Sequence, residues 1–443
     1  MYATIVVAVL IAFAAEVDLA QAFEPQFNPA SILIWTILVT ALAPVPGVLL
    51  ARSIKPEQLA DRSTRPRVLK RVRIVSLAYQ VYLLGSFAVV IHLIRWPLLT
   101  EGTLHLAGWV LVDEVLRLAP FLCMLVLAWM PLYRIDRMLR GGTWSMHEYI
   151  EFHFRQYVLF ILVPFAMIVT VKDVVALVVT GEVGTALDGI VLVAAVGVFF
   201  CFWPLLLRYV WRTRPLEAGP LRRRLQDLCQ RAGMGCRDIL VWETMGGHVV
   251  NACVVGIAAR VRFIMVSDAL TEALTPEEIE GVFAHEVAHV TRHHMLYYVL
   301  FAVAFGALFV LLASAPLPLA GSGEAWQEAL WGGALVLLYW GVGFAFVSRR
   351  MEVEADVYGV ELTGSTTDFV NALERISFFS GRPRSANSWR HFSIEKRTRF
   401  LQACEADPQR MRRFKKEMSI LRWGIVAFTA CAVAAAAIAA VLS

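Results

Sequence analysis

Eight apolar runs decide what this chain can become. They lie near residues 31–51, 74–94, 107–133, 157–180, 187–211, 296–320, 327–347 and 421–442. Each is long enough to cross about 30 Å of hydrocarbon as a helix. Backbone facing lipid has no water to bond to, so runs of this length without period-two alternation must be helical. With 58% hydrophobic and 17% charged residues among 443, a soluble enzyme is excluded. Residues 1–22 offer a ninth span. Their apolar run stops at Glu16, and Ala20-Gln21-Ala22 resembles a signal-cleavage site. No Lys or Arg precedes the run, which favours a retained first helix over a processed signal.

Charge supplies an orientation. The 51–73 connection carries Arg52, Lys55, Arg62, Arg65, Arg67, Lys70, Arg71 and Arg73, whereas 22–30 and 321–326 carry no Lys or Arg. Basic loops stay in the cytoplasm. Alternation from that anchor puts the Arg-rich segments 134–156, 212–295 and 348–420 on the same side. The expected domains are a membrane part at 1–211 with about six spans, a first soluble part at 212–295, a membrane hairpin at 296–347, a second soluble part at 348–420 and a last span at 421–443. The seven cysteines form no CxxC pair, and structural disulfides are not expected in cytoplasmic or membrane segments. The net charge of +5 belongs to the cytoplasmic loops. With no basic stripe interleaved with aromatics, nucleic acid is not an expected partner.

Charges inside spans line a cavity or pair with each other. Asp113, Glu114 and Arg117 lie in one run, Lys172 and Asp173 in another; Asp113 and Arg117, four apart, suit either role. From about 213 the composition becomes that of a soluble domain. A helix opens at Arg222, Arg223 and Arg224 and runs to about Ala232. Strands follow at Asp238–Trp242, Val249–Ile257 and Arg262–Val266, with Gly246-Gly247 turning between the first two. The stretch VVNACVVGI reads equally as a buried strand and as an edge able to pair with an extended peptide.

Residues 275–294, TPEEIEGVFAHEVAHVTRHH, read as one helix. Thr275 is its N-cap, Pro276 its first residue, and Glu278 closes a capping box. Ile279, Val282, Phe283, Val287 and Val290 make the buried stripe. His285 and His289, four apart, share one face and can grip one metal ion. Glu286 lies about 100° round from His285, which suits a general base beside the metal. Zinc needs a third protein ligand. His293 is about 12 Å along the helix from His285, and position 295, where a metzincin has histidine, is Met. Glu352 is the best candidate: it returns to the same side of the membrane, with Asp356 one turn on to orient a ligand histidine. Glu354 is the nearby alternative.

Asn251-Ala252 before a strand, HEVAH on a helix and S-R-x-x-E-x-x-A-D at 348–356 resemble the membrane zinc endopeptidases that include the HtpX heat-shock protease and the Ste-type CaaX prenyl protease. The resemblance covers about 213–400. It implies a mostly α fold, a polytopic helical membrane protein whose cytoplasmic gluzincin domain (α+β) is interrupted by two transmembrane helices. It implies one zinc ion per chain on His285, His289 and Glu352, with Glu286 as base and a peptide lying along Asn251 and Ala252. The family's H-P-S-x-x-x-R element corresponds to His391, Ser393 and Arg397, with Phe392 where the family has Pro. By resemblance His391 stabilises the tetrahedral intermediate and Arg397 braces the site or the substrate backbone. The span count before the motif and the final span depart from the prenyl protease.

The expected function is zinc-dependent endopeptidase action on peptide or protein substrates at the cytoplasmic face of a bilayer, of the bacterial inner-membrane type. Quality control of membrane proteins, processing of lipidated C-terminal peptides, and a metal-binding scaffold without turnover are the three readings. The scaffold leaves Glu286 without a purpose.

Overall fold

The structure is a computed structural model that describes residues 1–13, 28–61, 64–104, 111–140, 144–178, 197–199, 201–244, 249–314, 332–380 and 383–442. It divides into two compact units, Met1–Arg212 with Thr244–Gly247, and Thr213–Glu243 with His248–Ser443. Among the described residues seven helices are long and apolar enough to cross a membrane. Pro29–Ser53, Arg67–Leu93, Val112–Leu139 and Met146–Val171 belong to the first unit; His294–Leu311, Gly332–Thr363 and Pro408–Ala439 belong to the second. Tyr2–Phe13 and Cys201–Val210 are shorter apolar helices. Tyr2–Phe13 is the described part of the expected first span, and Ala20-Gln21-Ala22, the Gly246-Gly247 turn and the loop at 315–326 lie outside the described residues, as does most of 187–200.

In the first unit the intramembrane arginine finds a different partner from the one four residues away. Arg117 Nε donates to Glu101 Oε1 at 2.7 Å, and Nη1 donates to Ala12 O at 3.2 Å. A π-helical stretch, Leu98–Thr103, carries Glu101 inward, and Asp113 instead accepts from the N–H of Glu114 at its own helix start. The side chains of Lys172 and Asp173 lie outside the described residues.

The second unit is built on a four-stranded sheet of β1 (Thr213–Pro215), β2 (Asp238–Trp242), β3 (Ala252–Val255) and β4 (Phe263–Ser267), in the order β1-β2-β4-β3. β2 and β4 are parallel, and the other pairs are antiparallel. β4 is buried along its whole length and β2 along most of it, as expected of central strands covered on both faces. β3 is the edge. It is shorter than the expected 249–257, because Gly256 leaves the strand at φ +110°, a conformation closed to most side chains.

Helix α1 (Pro220–Arg231) and helix α3 (Pro276–Thr291), which follows the short α2 (Asp268–Ala273), pack on this sheet. The capping box of α3 forms as expected: Thr275 Oγ1 accepts from the Glu278 N–H at 3.3 Å, and Glu278 accepts from the Thr275 N–H at 2.9 Å. Ile279, Phe283 and Val287 enter the core with Leu225, Ile264 and Val266. The helix does not continue to His294. It ends at Thr291, and His293 takes the left-handed conformation at φ +58°. A new helix, α4 (His294–Ser314), leaves from there in another direction as an apolar span.

Helix α5 (Ala345–Thr363) continues a span into the soluble part, followed by α6 (Thr366–Ser380), α7 (Ile394–Ala406) and α8 (Pro408–Leu442). The expected last span is the second part of α8, a single helix of 35 residues. α5 lies against α3 at Gly359, where a Cβ would stand 3.2 Å from the His285 backbone nitrogen and 3.2 Å from the Phe369 ring. Gly359→Val must therefore push the two helices apart. We expect it to destabilise the fold by about 1–3 kcal/mol, read as a lower thermal midpoint in detergent; an unchanged midpoint would mean that the contact has room to relax.

Candidate active site

α3 and α5 hold three donors together. His285 Nε2 is 3.3 Å from His289 Nε2 and 3.4 Å from Glu352 Oε2, and His289 Nε2 is 3.8 Å from Glu352 Oε1. One ligand atom from each falls within 4.8 Å of the others. A zinc ion with bonds of about 2.0–2.1 Å in a tetrahedron spaces its ligand atoms by about 3.3–3.4 Å. The donor set therefore fits zinc in both chemistry and spacing. Histidines on one helix and a carboxylate from another need no loop to bring them together, because each lies on a regular helix whose face is set by the core.

Electrostatics point the same way. Burial works against a charged ring at His285, yet the Asp356 and Glu352 carboxylates outweigh it and raise its pKa to about 10. Two carboxylates thus face the His285 ring. Burial and then the charge of His285 lower His289 to about 3, which leaves that imidazole in its neutral, ligand form. Asp356, 1% exposed, sets Oδ1 2.9 Å from His285 Nδ1. Arg397 in turn grips Asp356 through two bonds, Nε to Oδ2 at 2.7 Å and Nη2 to Oδ1 at 2.5 Å. This is the fork geometry that suits a carboxylate best.

Glu286 lies beside the donors on the cavity wall. Burial raises its pKa to about 7, while the N–H of Val254 on β3 bonds its carboxyl and works the other way. A group poised near neutrality can both take and return a proton. The cavity has a volume of about 760 Å³ and runs from β3, past Glu286 and Glu352, to Met295, Leu296 and Val299 at the start of α4. Asn251 lines it; Ala252 does not, its side chain being buried in the sheet core. Cys253 takes the place on the wall that follows, and its thiol is held protonated by burial and by the Glu286 charge.

His391 enters from the loop before α7, with Nδ1 2.9 Å from Glu352 Oε2. Ser388 shapes that loop by taking the His391 N–H on its Oγ at 2.9 Å and giving its own N–H to His391 O at 3.0 Å. Ser393 caps α7 through the Lys396 N–H. Phe392 packs partly buried between the Arg349 and Lys396 cations, so an aromatic ring wedges the turn where the resembled family has Pro. Glu354, the alternative ligand, turns away from the donors: its Oε2 is 3.2 Å from His294 Nε2 and its Oε1 2.9 Å from Arg422 Nη1. Neither His294 nor Arg422 is singled out by any motif.

Comparison with known proteins agrees with this geometry. The sequence model of Peptidase family M48 matches residues 215–417. A protease HtpX homolog of Pyrococcus furiosus is 28% identical over 169 residues, covering 36% of this chain and 57% of that protein. Protease HtpX of Xanthomonas campestris pv. campestris is 26% identical over 264 residues, 54% of this chain and 88% of that protein. The chain spans little more than half the length of several HtpX homologues, 57% for Pyrococcus furiosus and 55% for Bacteroides fragilis. In fold it is similar to the crystal structure of S. mikatae Ste24p, with a TM-score of 0.53 and 16% identity over 85% of this chain and 99% of that one. Residues 215–417 thus carry a region matched by Peptidase family M48, in a chain similar in sequence to the HtpX proteases and in fold to Ste24p.

Proposed function

We propose that the chain is an integral-membrane zinc endopeptidase that cuts peptide bonds at the cytoplasmic face of a bacterial-type inner membrane, in quality control or processing of membrane-associated proteins. The observation that carries this reading is the His285, His289 and Glu352 set with Glu286 beside it and, on the same cavity, strand β3, which among the described residues pairs with no strand but β4. Zinc on that set supplies Lewis acidity, which makes a water acidic and a carbonyl electrophilic.

The chain's own groups do the rest. Glu286 takes the proton of the attacking water and hands it to the leaving amine. The outer edge of β3 offers main-chain bonds to an extended substrate, so the peptide is held by its backbone more than by its side chains. His391, on the same cavity wall, donates to the oxygen on which negative charge develops. Asp356 and Arg397 hold the His285 ring to its orientation. The basic 51–73 connection supports the cytoplasmic side, and the apolar rim at Met295, Leu296 and Val299 supports a substrate that arrives along the membrane surface.

The test is digestion of an unfolded protein such as casein by purified chain in detergent. We expect fragments from the wild type, none in 1,10-phenanthroline, and recovery on adding zinc. Cleavage that persists after the protein has lost all metal would overturn the proposal.

A further inference from the structure

The two histidines of the donor set are braced in different ways. His285 leans on Asp356, which Arg397 closes from behind. Among the described residues His289 meets no carboxylate on that side. Its Nδ1 faces the Nδ1 of His294 at 2.9 Å, the Nε2 of His294 faces Glu354 Oε2 at 3.2 Å, and Glu354 Oε1 receives Arg422 Nη1 at 2.9 Å. His294 is 1% exposed and Glu354 7%, so each contact replaces water that is not there to compensate.

The break after α3 makes this possible. On an unbroken helix a residue five positions on lies about 140° round the axis, which would carry His294 away from His289. The left-handed turn at His293 brings it back. Proton placement then follows from the contacts. Two facing Nδ1 atoms need one proton between them. His289 turns Nε2 toward the donor set, so its proton belongs on Nδ1 and is donated to His294. His294 must then carry its own proton on Nε2, where Glu354 accepts it. Arg422 donates to the other oxygen of Glu354 and fixes the carboxylate in place. One arrangement of neutral rings satisfies all three contacts.

Resting on the zinc reading above, we propose that His294, Glu354 and Arg422 are positioning residues for His289: they hold its ring in the Nδ1–H form with Nε2 free for zinc, and they tie the metal site to α8. The last apolar helix is then part of the metal site's support as well as a membrane anchor.

The experiment is zinc affinity by competition with a chromogenic chelator, on full-length protein in detergent, for wild type, His294→Phe, His294→Gln and Arg422→Gln. Thermal unfolding of each metal-free protein is measured alongside. Loss of a partner behind a ligand histidine weakens metal binding about 10–100-fold, and we expect that loss for His294→Phe. Gln offers an acceptor and a donor at the two ends of its amide, so His294→Gln should recover to within about threefold of wild type. Arg422→Gln, remote from the metal, should weaken binding several-fold, and it carries the test if His294→Phe fails to fold. Variants with lowered thermal midpoints but wild-type zinc affinity would make the cluster a structural brace alone and overturn the inference. Wild type and variants that bind zinc equally would overturn only this inference, whereas wild type that takes up no zinc would overturn the proposed function with it.

Discussion

Glu286→Gln is expected to leave zinc binding intact and to lower peptide cleavage by about 10²–10⁴-fold. Gln keeps the size of the side chain and can still meet the Val254 N–H through its carbonyl, but it cannot accept and release the proton. Glu286 is not among the three donors, so the metal content of the variant should equal that of wild type. A further readout separates lost chemistry from lost fold. Burial raises the folded-state pKa of Glu286 from 4.5 to about 7, so the folded protein holds more protons than the unfolded chain between those values. Stability through this group therefore falls as pH rises from 4.5 to about 7, then levels off. Metal-free Glu286→Gln should lack that slope and be no less stable than wild type at pH 8, as read by thermal unfolding at pH 5 and pH 8. Wild-type turnover in the variant would remove Glu286 from the mechanism.

Arg397→Met should be the most damaging substitution away from the zinc donors. Arg397 and Asp356 are 10% and 1% exposed, joined by two bonds, and removing one member leaves the other charge buried alone. Such losses run to about 3–5 kcal/mol. Chemical denaturation in detergent would show it as a lowered midpoint. The double variant Arg397→Met, Asp356→Leu is the informative partner, because it removes both charges. Stability should return in large part, since apolar replacements often serve as well as a buried pair. Zinc affinity should stay low, because the His285 ring has lost the group that orients it. Recovery of both properties would mean that the pair supports the fold and nothing more.

Much of this arrangement is legible in the chain itself. The capping box at Thr275, the four-residue spacing of His285 and His289, and the E-x-x-x-D of Glu352 and Asp356 are local patterns, and local patterns survive folding. Contacts set by direction changes are harder to read. Nothing at Arg292-His293 announces the end of a helix: there is no Gly, Asn or Pro, and a second histidine pair looks like a continuation of the first. The left-handed residue there decides what His294 touches. β1 is three residues long and has no pattern to find. Arg117 has an acid four residues before it, yet the π-helical stretch supplies Glu101 from sixteen residues away. In each case the partner is chosen by where the backbone turns, which side-chain periodicity does not report.

The close approach of α3 and α5 has a further consequence. Gly281 and Gly359 both leave room for the ring of Phe369, and Gly359 also lets α5 touch the backbone of His285. The spacing of the three donors is thus gauged by two bare backbones and one aromatic spacer, all of them away from the cavity mouth. Ile257, Met295, Leu296 and Arg390 stand at that mouth, on surfaces that do not set this gauge. Substrate preference and metal geometry are in this sense separately adjustable. Substitution of Ile257, the mouth residue farthest along the chain from the supports of the donors, is expected to leave the dimensions of the donor triangle unchanged.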